Sequence, residues 1–395
     1  MATEEGRIPV SHIGSLVRPP TLIAFLEKEQ RGEPYDPDAF DACLTESVAE
    51  AVRLQAEAGI DIVSDGEYGK SINWAFYVQN RLNGVERQPM TPEEAADPMN
   101  HAIGGRDREA FPEFYGEYDG MVLANALAPM RPVVTGPISY GGHAELRRDI
   151  ANLKSALAAT GGVEGFLPVV APASALPNAR DDHYGDEESL LFALADALRE
   201  EYAAIVDAGL HLQVDDAFLP YMYERLVPPM TLAEYRDWAE LRIAALNRAL
   251  EGLPPERTRY HICWGSWNGP HMFDVPMKDI VDIVLKVNAG TYAFEAANPR
   301  HEHEWQVWKT AKPAPGRRLM PGLIAHSTNV VEHPELVAER LLRYADLVGG
   351  DNVMAGTDCG FCQSPLAGRV HRSIMWAKLK ALSEGAAIAS ARLRG

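Results

Sequence analysis

The sequence predicts an α/β fold, a (β/α)8 TIM barrel carrying one inserted segment, and three observations lead there. Eight short apolar runs recur along the chain, most of them followed by a longer stretch of helical periodicity, and several of those stretches stop at glycine. The runs are nearly continuous in apolar residues, as parallel strands covered on both faces are. Strand–helix units repeated eight times close economically into a barrel of about 250 residues, which leaves a surplus to place in a chain of 395.

In order, the runs are IPVSHIGS (8–15), DIVSDGE (61–67), FLPVVAPAS (166–174), LHLQVDDAF (210–218), RYHICWGSW (259–267), TYAFEAANP (291–299), LMPGLIAHSTN (319–329) and VMAGTDCGF (353–361). Between them DPDAFDACLTESVAEAVRLQAEAG, DEESLLFALADALREEYAAIVDAG, LAEYRDWAELRIAALNRALEG, PMKDIVDIVLKVNAG and HPELVAERLLRYADLVGG read as helices whose apolar stripes pack on the barrel. A ninth strand candidate, RPVVTGPIS (131–139), sits in irregular sequence rich in glycine and proline. The surplus is therefore assigned to an insertion over 82–162, too thin in apolar residues for a core of its own, within one barrel spanning 1–395.

Composition narrows the function. A formal charge of −19 argues against a nucleic-acid or anionic-membrane partner, since both need a basic footprint. The beginning, MATEEGRIPVSHIG, has neither a basic nor an apolar leader region, and no apolar run is long enough to span a bilayer, so a cytoplasmic protein is expected. Four cysteines in so long a chain do not make a disulfide framework, and reduced thiols are expected. Oligomeric state is not legible, and a homo-oligomer is compatible with the composition.

Barrel strands deliver active-site residues at their C-terminal ends. Here those ends carry Ser15, Glu67, Asp215 with Asp216, His261 with Cys263, Glu295, His326, and Asp358 with Cys359. Residues two apart on a strand share a face, so His261 and Cys263 reach one point in space. With Glu295 from the next strand and Cys359 from the last, two thiolates, an imidazole and a carboxylate suit tetrahedral Zn2+. The residues alone leave the alternative open that both cysteines are buried small hydrophobes, since H-x-C is a weak pattern. Cys359 and Cys362 also form a C-x-x-C pair, a redox or zinc-knuckle signature, but no second such pair completes a zinc ribbon.

Taken together, HIGS, SDGE, LQVDD, HIC, FEAANP, HSTNVVEHPELVAERL and AGTDCGF, in that order and spacing, resemble the catalytic barrel of the cobalamin-independent methionine synthase family over most of the chain outside 82–162. The resemblance implies zinc held by His261, Cys263, Glu295 and Cys359, with Cys362 left out, and a zinc-bound substrate thiolate that attacks an electrophilic carbon. It implies a homocysteine-like backbone gripped by Ile13, Gly14, Ser15, Glu67 and Asp215. Where that family has Asp-Glu, this chain has Asp215-Asp216. The second barrel of the full-length synthases, which helps bind methyl-folate, has no counterpart here, and HICWGSWNGPHMFDVP looks closer to short relatives that use a methylcorrinoid or, as epoxyalkane:coenzyme M transferases do, an epoxide.

The expected activity is thus zinc-dependent alkyl transfer to a thiol, in the class of 5-methyltetrahydropteroyltriglutamate–homocysteine S-methyltransferase, with His326 protonating the leaving group and Asp358 orienting the adjacent ligand. A coenzyme M-like thiol would want cations, and Arg18, Lys70 and Arg369 are candidates. Aromatic residues expected near the mouth, among them Trp74, Phe76, Tyr77, Trp264, Trp267 and Trp308, would stack on a flat donor or pack as core. Two rival readings are a non-catalytic barrel that binds zinc and a thiol, and a metal-free barrel similar to uroporphyrinogen decarboxylases.

Overall fold

The computed structural model of the chain describes residues 6–70, 75–97, 104–122, 130–362 and 369–395. Its strands are β1 (Ile62–Ser64), β2 (Leu82–Pro89), β3 (Met130–Tyr140), β4 (Glu164–Val170), β5 (Arg180–Asp181), β6 (His211–Asp215), β7 (Thr258–Ile262), β8 (Thr291–Phe294), β9 (Arg318–Ile324) and β10 (Gly356–Thr357). Seven of them form one parallel sheet in the order β1-β4-β6-β7-β8-β9-β10. The remaining barrel position is taken by Val10 and Ser11, which bridge in parallel to Ala355 on one side and Ile62 on the other. Ser11 N–H donates to the Ala355 carbonyl at 2.9 Å, and Asp61 N–H donates to the Val10 carbonyl at 2.9 Å. This seam joins the two outer strands of the sheet and closes the (β/α)8 TIM barrel that the eight apolar runs predict.

The barrel floor is polar. Arg259 of β7 donates to Ser11 Oγ at 2.6 Å and Gln213 Oε1 at 2.7 Å, and its guanidinium lies 3.8 Å from the centre of the Phe166 ring. Register then fixes the upper rim. Val170 of β4 faces Asp215 of β6, Asp215 faces His261 of β7, and His261 faces Ala293 of β8. Parallel pairing at this register sets the Asp215 and His261 side chains next to each other.

The 82–162 span is more regular than its glycine and proline content suggests. β2 and β3 pair antiparallel from Leu82↔Tyr140 to Pro89↔Met130, with β5 added parallel to β3. The span then continues into an 18-residue helix, His143–Thr160, which packs on the helix Pro37–Glu57 in the outer layer of the barrel. Its buried stripe of Leu146, Leu153 and Ala156 is a helical pattern that a reading weighted by glycine and proline passes over. Conversely, PMKDIVDIVLKVNAG is a 3-10 turn, Met277–Asp279, and one short helix, Val281–Val284, because Ile280 at φ −130° interrupts the helical backbone.

Arg81, where the hairpin leaves the barrel, ties it to two helices. Its guanidinium lies 2.5 Å from Asp149 Oδ2 and 2.7 Å from Glu201 Oε1, all three buried. Among the described residues no helix is long and apolar enough to cross a membrane.

Candidate metal centre

His261 is the last residue but one of β7, Cys263 directly follows that strand, and Cys359 lies two residues beyond β10. One potential ligand atom of each lies within 4.8 Å of the other two, and all three residues are buried. The two Sγ atoms are 3.9 Å apart. His261 Nδ1 is 2.9 Å from Asp215 Oδ1. An ionised carboxylate only accepts, so Nδ1 carries the hydrogen and the lone pair sits on Nε2, a buried atom with no partner. An orphaned imidazole nitrogen oriented by a carboxylate, beside two thiols, fits the donor set of a zinc ion. Burial pulls the His261 pKa down, but the Asp215 hydrogen bond and charge, joined by Cys359 and Glu295, together raise it. The Cys263 thiol is pushed well above its usual range, first by its contact with Cys359, then by burial and the Glu295 charge, so this pocket resists a second negative charge until a cation offsets it.

Glu295, expected as a fourth ligand, falls outside this three-residue group. Its Oε1 accepts the Trp264 backbone N–H at 2.9 Å and its Oε2 accepts from Asn298 Nδ2 at 2.8 Å. The carboxylate is therefore held against the peptide that follows Cys263. Asp358, the residue before Cys359, is hydrogen-bonded to the turn after Glu295. Its Oδ1 accepts the backbone N–H groups of Ala296 and Ala297, each at 2.8 Å, and so fixes the turn after Glu295, while Oδ2 is buried without a partner. Burial, reinforced by Glu295, raises Asp358 to about 7. His326 is buried, and neither ring nitrogen has a partner among the described residues. Burial and then the Arg369 cation press its pKa to about 3, so at neutral pH the ring is uncharged and holds one proton, not two.

Ile13 packs with the same two cysteines, Cys263 and Cys359, and Ile13, Gly14 and Ser15 form a bend. Gln213 Nε2 donates to the Ile13 carbonyl at 2.6 Å and to Asp215 Oδ1 at 2.9 Å, so one side chain links the turn to the carboxylate. Gly14 has φ +118°, and a Cβ there would stand 2.7 Å from Glu67 Oε1, which only glycine avoids. Ser15 Oγ accepts the Cys362 N–H at 3.3 Å. Glu67 itself adopts the left-handed region at φ +59°, a conformation costly for a non-glycine residue and concentrated at functional positions. Its Oε2 is 3.0 Å from Lys70 Nζ, which also donates to the Pro168 carbonyl at 3.0 Å. Burial foremost, with Asp215 repulsion, raises Glu67 to about 7 against the pull of Lys70.

Asp216 is occupied elsewhere, accepting from Ser174 Oγ at 2.8 Å and from Tyr260 OH at 2.9 Å, so of the Asp215-Asp216 pair Asp215 is the one beside the centre. Arg18 spends its Nη2 on the Glu67 and Lys70 carbonyls at 2.6 and 2.9 Å. Cys362 is not in the three-residue group. Trp74 and the Phe76 side chain lie outside the described residues. The other aromatics pack: Tyr77 under Lys70 and Arg81, Trp264 on His301, Trp308 on Phe294, and Trp267 against Tyr221. Two residues of the rim escaped the sequence reading, Gln213 and the pairing of Lys70. Their signals are present as Gln213 two before Asp215 in LQVDD and Lys70 three after Glu67 in GEYGK.

No family model matches the chain. It is 25% identical to the 2-hydroxypropyl-CoM lyase of Xanthobacter autotrophicus, across 99% of this chain and 97% of that protein. It is 23% identical to the methionine synthase of Sulfolobus acidocaldarius, across 91% of this chain and 87% of that protein. Its fold matches that of a B12-independent methionine synthase from Shewanella sp. W3-18-1 with a TM-score of 0.71, 24% identity, and coverage of 98% of this chain and 99% of that one. These likenesses run the length of the barrel, and with them the resemblance to the cobalamin-independent methionine synthase family, its 2-hydroxypropyl-CoM lyase relative included, is borne out.

Proposed function

We propose that the chain is a zinc-dependent enzyme that transfers an alkyl group, foremost methyl, to the sulfur of a small amino-acid-like thiol. The observation that carries this reading is the convergence of His261, Cys263 and Cys359 within 4.8 Å, beside the Glu67 and Asp215 carboxylates. Relatives named methionine synthase and 2-hydroxypropyl-CoM lyase support chemistry at sulfur in general. His261 Nε2, Cys263 Sγ and Cys359 Sγ would hold the ion, with Glu295 as the fourth donor. Bound zinc would supply the Lewis acidity that keeps a substrate thiol deprotonated at neutral pH.

The remaining work belongs to the protein. Asp215 holds His261 in the tautomer that leaves Nε2 bare. Asp215 and Glu67 together offer negative charge to the substrate ammonium, and Ser15 Oγ, which accepts the Cys362 N–H, would donate its own hydrogen to the substrate carboxylate. As the new sulfur–carbon bond forms, the bond from carbon to the donor breaks and its electron pair leaves with the donor. Neutral His326, with its single ring proton and no competing partner among the described residues, stabilises that leaving group by hydrogen bonding.

One feature favours a second reading. Lys70 already lies 3.0 Å from Glu67 Oε2, which neutralises one of the two carboxylates and places a cation in the pocket, as an anionic thiol of the coenzyme M type requires. Homocysteine and coenzyme M tested as acceptors, each against methyl-folate, methylcobalamin and a small epoxide, separate the two. Turnover of homocysteine with a methyl donor is expected. Turnover of coenzyme M with the epoxide alone would establish the second reading, and zinc-dependent thiol binding without any turnover would make the barrel a carrier.

A further inference from the structure

Next to the metal-binding end of β7 lies a buried chain of charged groups that the chemistry above does not employ. His271 Nδ1 is 2.9 Å from Asp274 Oδ2, and its Nε2 is 2.9 Å from the Trp267 carbonyl oxygen. His301 Nε2 is 2.9 Å from the same Asp274 oxygen, and its Nδ1 is 2.9 Å from Glu304 Oε2. Carbonyl and carboxylate oxygens accept and do not donate, so all four ring nitrogens must carry hydrogen. Both rings are imidazolium ions. Burial works against this, yet the hydrogen bonds to Asp274, with Glu304 added at His301, raise both pKa values to about 9. The two rings in turn hold Asp274 below the usual carboxylate range in spite of its burial.

Two cations and two carboxylates balance, and Glu304 spends its other oxygen on the Met277 N–H at 2.8 Å. Such a network is rigid, because every hydrogen bond it contains is charge-assisted or made to backbone and none can be surrendered without stranding a buried charge. Its link to the metal centre is one aromatic face. The His301 ring lies on the Trp264 indole with centroids 3.8 Å apart and planes 18° from parallel, a stacking that a cationic ring strengthens. Trp264 is pinned at its other polar end, where its indole N–H donates to the Val275 carbonyl at 2.7 Å. It directly follows Cys263, and its backbone N–H is the one that holds Glu295 Oε1.

We propose that His301 is a positioning residue for the metal centre: clamped between Asp274 and Glu304 and stacked on Trp264, it fixes the peptide that carries Cys263 and aims the Glu295 carboxylate. This rests on the reading of His261, Cys263 and Cys359 as zinc ligands. A histidine does here what phenylalanine could not, since two N–H groups on opposite edges set the plane of the ring as well as its place.

The test compares wild type with His301→Phe, which keeps an aromatic face and loses both N–H groups, and with the milder Glu304→Gln. Zinc affinity is read by competition with a chromophoric chelator, and geometry by the visible absorption of the Co2+-substituted protein. Both variants are expected to keep native circular dichroism and one metal per chain. His301→Phe should bind zinc about 10–100-fold more weakly, the loss typical when a group that orients a ligand is removed. Its cobalt ligand-field bands should shift while the thiolate charge-transfer bands persist, and Glu304→Gln should move both readouts less, in the same direction. Variants with a lowered melting temperature but unchanged zinc affinity and cobalt spectra would reduce His301 to a packing residue and overturn the proposal. Wild type that binds neither zinc nor cobalt would instead remove the metal reading, and this inference with it.

Discussion

At His261 a single hydrogen bond decides which ring nitrogen keeps its lone pair. Asp215 takes the Nδ1 hydrogen at 2.9 Å, so the lone pair is left on Nε2. Asp215→Asn presents an amide that satisfies either tautomer, and zinc affinity is expected to fall about 10–100-fold in a chelator competition. Homocysteine binding should weaken as well, by an amount measurable in calorimetry on zinc-saturated protein. Cys263→Ser should lose stoichiometric zinc, whereas Cys362→Ala should retain it, because the Cys362 sulfur lies outside the three-residue group; metal analysis of both proteins decides. How much of this was legible differs from residue to residue. His261 and Cys263 could be placed together from spacing alone, since period two on a strand is a geometric fact. Nothing in one dimension shows that Glu67 is left-handed, that Lys70 folds back on it, or that Asp358 holds the Ala296 and Ala297 peptides.

The turn from His12 to Ser15 shows how an element reads pH. His12 Nε2 is 2.6 Å from Gln55 Oε1, and its Nδ1 accepts the Gly14 N–H at 3.1 Å. The ring must therefore be neutral, with its hydrogen on Nε2. Protonation would set a second N–H against that of Gly14. Burial is the largest cause, and the Arg259 cation adds to it, of a pKa lowered from 6.5 to about 4. An unfolded chain takes up this proton first as pH falls, so stability is complete above pH 6.5 and declines between 6.5 and 4. The lost contribution approaches about 3 kcal/mol. Urea unfolding at pH 7 and pH 4.5 should show this, and His12→Asn should be less stable at pH 7 with a shallower fall. Among elements, buried parallel strands were legible because both faces are covered and the run stays apolar. The helix His143–Thr160 was not, because its flanks dominate the composition, and the helix expected after Pro276 was not, because Ile280 breaks it.

Across the whole molecule, the hairpin and the barrel are joined by a buried ion triad at Arg81. Removing the cation strands Asp149 and Glu201, both buried, and Arg81→Ala is expected to cost about 3–5 kcal/mol in equilibrium unfolding. Replacing all three by apolar residues of similar volume should cost far less, which separates a charge penalty from lost packing. The fold class itself was readable because strand and helix alternate along the chain; what alternation cannot tell is register, and register is what sets Asp215 beside His261. The seam of the barrel carries a further consequence, for the order of events at the ribosome. Val10 and Ser11 pair with Ala355, and Ile13 N–H donates to Thr357 Oγ1 across 344 residues of sequence. At about 5–20 residues per second, the opening strand waits on the order of tens of seconds for its partner to be synthesised. During that interval the nascent chain holds an open sheet with two unpaired edges, the condition that chaperones shield. Cys359 comes still later, so any ion that needs both thiols can be taken up only after residue 359 has been synthesised.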